Sequence, residues 1–157
     1  MTSTDFMRRA IALSRDALAT PGAAPFGAVV VKDGRIVGEG MNRVVADHDP
    51  TSHGEVEAIR DAGRRLGTWN LSGCELYTSC EPCELCVASM FWARIGKMYY
   101  AATLDDCEAI GLDCKPLRET VRRDLKDRPL ACEGLLNREA RDVLHDWSQS
   151  PGFDPFQ

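Results

Sequence analysis

The chain has 157 residues, 44% hydrophobic and 27% charged, which suits one domain with a full core and excludes a disordered chain. A net charge of -5 argues against a general nucleic-acid binder, which needs a basic face. No apolar run reaches membrane-spanning length, the first ten residues are too polar for a signal peptide, and seven cysteines point to a reducing cytoplasm rather than a disulfide scaffold.

In chain order, residues 5–19 carry Phe6, Ala10, Leu13, Ala17 and Leu18 at helical spacing behind Thr4 as N-cap, and Pro21-Gly22 stops the run. Residues 26–31 read as a short buried strand, Asp33-Gly34 as a hairpin turn, and residues 36–41 as the returning strand. Gly38 and Gly40 either weaken that strand or permit close backbone approach. A polar loop follows, then a helix capped by Thr51 or Ser52 that runs to about Leu66, with Gly67 closing it. Residues 74–79 are a third strand. Pro82 suits the first position of the next helix, which Gly96 ends. Residues 97–101 are a fourth strand and 105–110 a short helix. Residues 117–125 form a further helix, whose basic residues Arg118, Arg122, Arg123, Lys126 and Arg128 are interleaved with acids and read as a solvated face. Residues 130–135 read ambiguously as a last strand, Asn137 caps a final helix, and the tail from 150 to 157 is too rich in proline and glycine to be helical. Strands alternating with helices predict an α/β layer sandwich, whose sheet is mixed because the opening pair is a hairpin.

Two stretches carry chemistry. His53-Gly54-Glu55 opens one helix, and Pro82-Cys83-Glu84-Leu85-Cys86 opens the next. One imidazole and two thiolates give zinc three protein ligands and leave a fourth tetrahedral position for water. Glu55, two residues from the histidine, can take that water's proton without binding the metal. A C-x-x-C pair alone could equally be a redox pair or half of a closed structural site, for which Cys74, Cys80, Cys107, Cys114 or His48 could supply the fourth ligand. The conjunction H-x-E … P-C-x-x-C is far more specific and is a known signature of zinc-dependent base deaminases.

Beyond that signature, residues 25–34 (PFGAVVVKDG), 40–43 (GMNR), 49–60 (DPTSHGEVEAIR), 77–83 (YTSCEPC) and 91–95 (FWARI) resemble the cytidine deaminase-like zinc superfamily, and within it the branch of bacterial guanine deaminases. The resemblance implies one zinc-dependent deaminase domain over residues 1–157, an α/β/α three-layer sandwich with a sheet of about five strands between helical layers, and a homodimer. It implies one Zn2+ per chain on His53, Cys83 and Cys86, with Glu55 as proton shuttle. Asn42 would hydrogen-bond the base, and Phe26 and Trp92 would pack against its faces. On the residues alone, Asn42 also reads as turn chemistry, Phe26 as plain core, and Trp92 as core or dimer interface.

Three positions depart from the branch. Gly54 stands where it usually has Ala, so a wider pocket or an altered backbone contact is expected. In residues 111–114 (GLDC), Cys114 replaces an acid that contacts the base, and Asp113 is the candidate substitute. The tail offers Phe153 and Phe156 where the branch closes the site with an aromatic near the C-terminus, sometimes the partner subunit's, and these lack a phenolic hydroxyl; Asp154 could supply a polar contact. The expected activity is hydrolytic deamination of a guanine-like nucleobase. Cytosine, a nucleoside or a triazine such as ammeline are the alternatives. A tRNA adenosine deaminase ranks below these, and a non-catalytic zinc-stabilised binding domain last.

Overall fold

A computed structural model describes residues 1–155; Phe156 and Gln157, and with Phe156 its expected role as a lid, lie outside the described residues. The chain divides into two compact units, residues 1–119 and Thr120 onward.

The first unit opens with α1 (Ser3–Leu18). Its cap is Thr2 rather than Thr4. The Thr2 hydroxyl accepts the Asp5 N–H while the Asp5 carboxylate accepts the Thr2 N–H, a reciprocal capping box. Strands β1 (Ala24–Lys32) and β2 (Arg35–Asn42) pair antiparallel around a two-residue turn, in which Asp33 (φ 49°) and Gly34 (φ 72°) both take the left-handed backbone that such a hairpin requires. A short helix, α2 (Val44–Asp47), interrupts the loop that follows. Then come α3 (Gly54–Leu66), β3 (Cys74–Cys80), α4 (Glu84–Trp92), β4 (Lys97–Ala102) and α5 (Leu104–Ala109). The sheet runs in the order β2-β1-β3-β4; β1 and β3 are antiparallel, β3 and β4 parallel.

Alternation along the central strands gives each face its own core. Val29, Val31 and Tyr77 pack with Phe6 and Leu13 of α1, where the Tyr77 ring stacks 4.4 Å from Tyr99. Ala28, Val30 and Leu76 point the other way and pack with Val56, Ala58 and Ala62 of α3 and Cys86 and Met90 of α4. This is the expected three-layer arrangement. Gly38 and Gly40 prove to be points of close approach: a Cβ on either would stand 2.4 Å from the Ala58 backbone, so α3 lies almost on β2.

The sheet has four strands among the described residues, not five. Residues 130–135 form no strand: Pro129 removes an N–H just before them, Leu130 and Leu135 are exposed, and no neighbouring strand offers a ladder. Helix α6 (Lys115–Arg122) is shorter than expected and is followed by a 3-10 turn at Leu125–Asp127. In the second unit, α7 (Asn137–Ser148) includes Asn137 as its first residue, and the cap position falls on Leu136 with φ 53°. Trp147 meets Phe153 edge to face at 4.9 Å. No described residue after Cys107 is buried.

Candidate active site

The two chemistry-bearing stretches end at the same place because two helices begin there. His53 is the N-cap of α3 and Cys83 the N-cap of α4; neither uses its side chain to cap. The expectations that Ser52 or Thr51 caps α3 and that Pro82 begins α4 are therefore corrected: the ligand residues occupy the cap positions themselves. The loop ahead of His53 is tied down by polar contacts. Asp49 Oδ1 accepts the Thr51 N–H and hydroxyl at 2.8 and 2.7 Å, the Arg43 N–H donates to the Ser52 carbonyl at 2.9 Å, and the Arg60 guanidinium donates to the Thr51 hydroxyl at 3.1 Å.

His53 Nδ1 lies 3.6 Å from Cys83 Sγ and 3.5 Å from Cys86 Sγ, and the two sulfurs are 3.8 Å apart. Tetrahedral zinc with ordinary bond lengths would place two sulfurs about 3.8 Å apart, and a sulfur and a nitrogen about 3.6 Å apart. The donor set and its spacing thus fit one zinc ion. Among the described residues no fourth His, Cys, Asp or Glu joins this cluster, so Cys74, Cys80, Cys107, Cys114 and His48 do not close the site. Cys80 pairs elsewhere, with its sulfur 3.2 Å from that of Cys107, and burial pushes its thiol up to about 12.

Glu55 is the second residue of α3 and is deeply buried. Its Oε2 accepts from the Cys86 thiol at 3.3 Å, and its Oε1 accepts from the Thr78 hydroxyl at 3.1 Å. Burial raises its carboxyl pKa above the ordinary range. Cys83 is held down to about 4, first by its contact with Cys86 and then by the His53 hydrogen bond. Cys86 is pushed up, first by that same contact with Cys83 and then by burial, and the Cys83 contact raises His53.

The other expected residues fall in different places. Asn42 ends β2, and its Oδ1 accepts the Val44 N–H at 3.2 Å, which leaves the NH2 group as the donor end. Phe26 is half-buried where the β1–β2 register slips, between Ala24 and Gly27. Gly54 makes the close contact rather than a wide one: a Cβ there would stand 2.4 Å from the Phe26 carbonyl oxygen. Asp113 is exposed, and its Oδ1 accepts the Lys115 N–H at 2.8 Å, a turn contact. Cys114 is partly buried; burial raises its thiol pKa first, followed by the charges of Cys83 and Cys107. Trp92 ends α4, about 9 Å further along the helix than Cys86. It is 69% exposed, with its ring edge-on to Phe91. This exposure rules out the core reading of Trp92.

Two residues were missed from the sequence. Thr78 holds Glu55, and the Ser79 hydroxyl accepts the Gly27 N–H at 3.0 Å, linking β3 to the start of β1. The available signal was a pair of hydroxyl residues inside a central strand, both buried, where apolar side chains are the rule.

A three-ligand zinc site with a buried carboxylate beside it, on an α/β/α sandwich, defines a zinc-dependent hydrolytic deaminase. The sequence profile of the cytidine and deoxycytidylate deaminase zinc-binding region matches residues 1–102, and the chain belongs to that family. It is 40% identical over 147 residues to the guanine deaminase of Bacillus subtilis, covering 94% of each chain. The X-ray structure of a guanine deaminase from Bacillus subtilis superposes with a TM-score of 0.94 at 34% identity, covering 100% of both chains. The tRNA-specific adenosine deaminase of Agrobacterium fabrum is 40% identical over 151 residues, covering 96% of this chain and 97% of its own.

Proposed function

We propose that the protein is a guanine deaminase, converting guanine and water to xanthine and ammonia. The observation that carries this reading is the likeness to the Bacillus subtilis guanine deaminase, which covers 94% of each chain in sequence and so extends well beyond the zinc motifs. His53, Cys83 and Cys86 would hold the zinc, which when bound supplies a water acidified towards neutral pH. Glu55 would take one proton from the attacking water and pass it to a ring nitrogen of the base, then take the second from the hydroxyl so added and give it to the departing amine. A buried carboxyl with raised proton affinity suits such two-way transfer near neutral pH. The Asn42 NH2 group is a donor for a carbonyl of the base, and Phe26 is an apolar surface for its face. Cys114, partly buried, takes the place at the base edge better than Asp113, which is exposed and whose carboxylate is spent on a turn. A thiol accepts hydrogen bonds poorly, so substrate affinity is expected to be weaker than an acid there would give. Gly54 acts by letting the Phe26 backbone close on α3.

The whole chain is read as one deaminase domain working as a homodimer. Phe91 and Trp92 on α4, Met98 and Tyr100 on the edge strand β4, and Val143, Leu144 and Trp147 on α7 are all exposed apolar surface, more than a lone chain leaves open. A tail exchanged between subunits would cover part of it. Sedimentation at micromolar concentration tests this: a monomer refutes it. Seven free cysteines, two of them metal ligands, favour a reducing cytoplasm; no helix of the described residues is long and apolar enough to cross a membrane.

A second reading, tRNA adenosine deaminase, is favoured by the equal identity to the Agrobacterium enzyme and opposed by the acidic charge balance. Ammonia release from guanine, guanosine, adenine, cytosine, ammeline and tRNA, measured on purified zinc-loaded protein, decides between them. Release from guanine above all others is the expected result, and none from guanine overturns the reading.

A further inference from the structure

A carboxylate close to a zinc site has two possible roles, ligand or proton carrier, because zinc binds Asp and Glu oxygens readily. Glu55 stands within reach of both. Its Oε2 is already 3.3 Å from the sulfur of Cys86, one of the three ligands. Besides its own main-chain N–H, the carboxylate has one further side-chain partner, and it lies on the central strand. The Thr78 hydroxyl donates to Oε1 at 3.1 Å. Thr78 is 1% exposed, so no solvent competes for that bond, and β3 is flanked by β1 and β4, so the strand cannot shift to follow the carboxylate. We propose that Thr78 is the positioning residue that fixes Glu55 as proton carrier, turning one oxygen toward the reacting side and keeping the carboxylate from taking the metal's fourth position. The inference rests on the deaminase reading of the site and adds to it a restraint outside the metal ligands and the acid itself.

The distinguishing feature is a hydroxyl, not bulk. Thr78→Val keeps the shape and removes the donor, Thr78→Ser keeps the donor, and Thr78→Ala removes donor and methyl together. The expected result is that T78V retains one zinc per chain while kcat falls about 10- to 100-fold and KM moves less than about 3-fold, the loss typical of removing a hydrogen-bond partner from metal-site machinery. T78S is expected to run within about 3-fold of wild type. Should T78V fail to fold, the T78S and T78A pair makes the same comparison across a hydroxyl alone. A readout without turnover comes from replacing zinc by Co2+. In wild type, added azide should shift the visible bands, because the fourth position is open. In T78V the released carboxylate should occupy that position and the bands should no longer respond. An unchanged kcat in T78V, T78S as slow as T78A, or a T78V cobalt spectrum that responds to azide as wild type does would each overturn the proposal. If the wild-type protein deaminates nothing in the substrate panel, the functional reading fails instead, and the cobalt experiment still judges Thr78 by itself.

Discussion

Residues 1–107 and residues 120–155 differ in what their apolar side chains touch. In the first stretch, Val29, Val30, Leu76 and Tyr77 are all but fully buried between two helical layers. In the second, Val143, Leu144 and Trp147 share a helix and remain exposed. Both stretches have the amphipathic patterning that makes a helix or strand seek a partner. Only the first finds its partner within its own unit. The metal cluster and Glu55 belong to that packed part, and there the chemistry needs fixed distances. The exposed stretch holds its secondary structure by local hydrogen bonds and leaves its apolar stripe open.

The comparison predicts large losses in the packed part. Glu55→Gln removes the proton carrier and should lower kcat by roughly 10²- to 10⁴-fold with zinc stoichiometry unchanged; kcat within a few-fold of wild type, measured beside metal analysis, would show that the carboxylate does not carry the proton. Next in size, Leu76→Ala should cost about 2–5 kcal/mol, because Leu76 is fully buried between β1, α3 and α4. Leu144→Ala, on the exposed stripe of α7, should cost less than about 0.5 kcal/mol in dilute protein. Urea unfolding of both variants at several protein concentrations sharpens the contrast. If the Leu144 effect grows with concentration, a second copy covers α7.

The sequence exposed those features whose chemistry is local. The Asp33-Gly34 turn and the spacing of Phe6, Ala10, Leu13 and Ala17 are each set by a few neighbouring residues, and the ligand trio was legible because its two halves, His53-Gly54-Glu55 and Cys83–Cys86, are each short local motifs. Helix starts were misplaced because His53 and Cys83 sit at cap positions, where intrinsic preference favours Ser or Thr; metal geometry overrides that preference. The fifth strand failed because a strand exists only if another pairs with it, which residues 130–135 cannot announce. The four-residue helix α2 carries too short a pattern to detect. Thr78 and Gly54 were opaque for a related reason: their roles depend on which distant atom comes near, Glu55 Oε1 for one and the Phe26 carbonyl for the other.

Gly54 allows the smallest possible probe of that closeness. Gly54→Ala places a Cβ 2.4 Å from a backbone oxygen that cannot rotate away, and should cost about 1–3 kcal/mol. Gly134→Ala, with nothing within 4 Å, should be neutral or slightly stabilising. Differential scanning calorimetry of the pair checks it; an unchanged Tm in G54A would mean that β1 and α3 are not held as closely as the site requires.

The smallest effect is electrostatic. Arg9 on α1 grips Glu39 on β2 through two hydrogen bonds of 2.8 Å. That grip holds the Glu39 carboxyl below its usual 4.5, the Arg9 hydrogen bond being the largest cause. A carboxyl depressed on folding adds stability that is complete above its unfolded value and disappears as pH falls through the folded one. Both side chains are partly exposed, so Glu39→Gln should cost only about 0.5–1 kcal/mol at pH 7. The gap from wild type should narrow as the pH drops below 4.5, since protonation then does to wild type what the substitution has already done. Arg128 in the second unit gives the contrast: it donates to the main-chain carbonyls of Arg123 and Val121, at 3.1 and 3.5 Å, which do not titrate. Any loss from Arg128→Gln should therefore be the same at pH 7 and pH 4. Urea midpoints of the two variants against wild type across that range separate the cases, and a Glu39 effect that persists undiminished in acid would mean that the side chain contributes packing rather than charge.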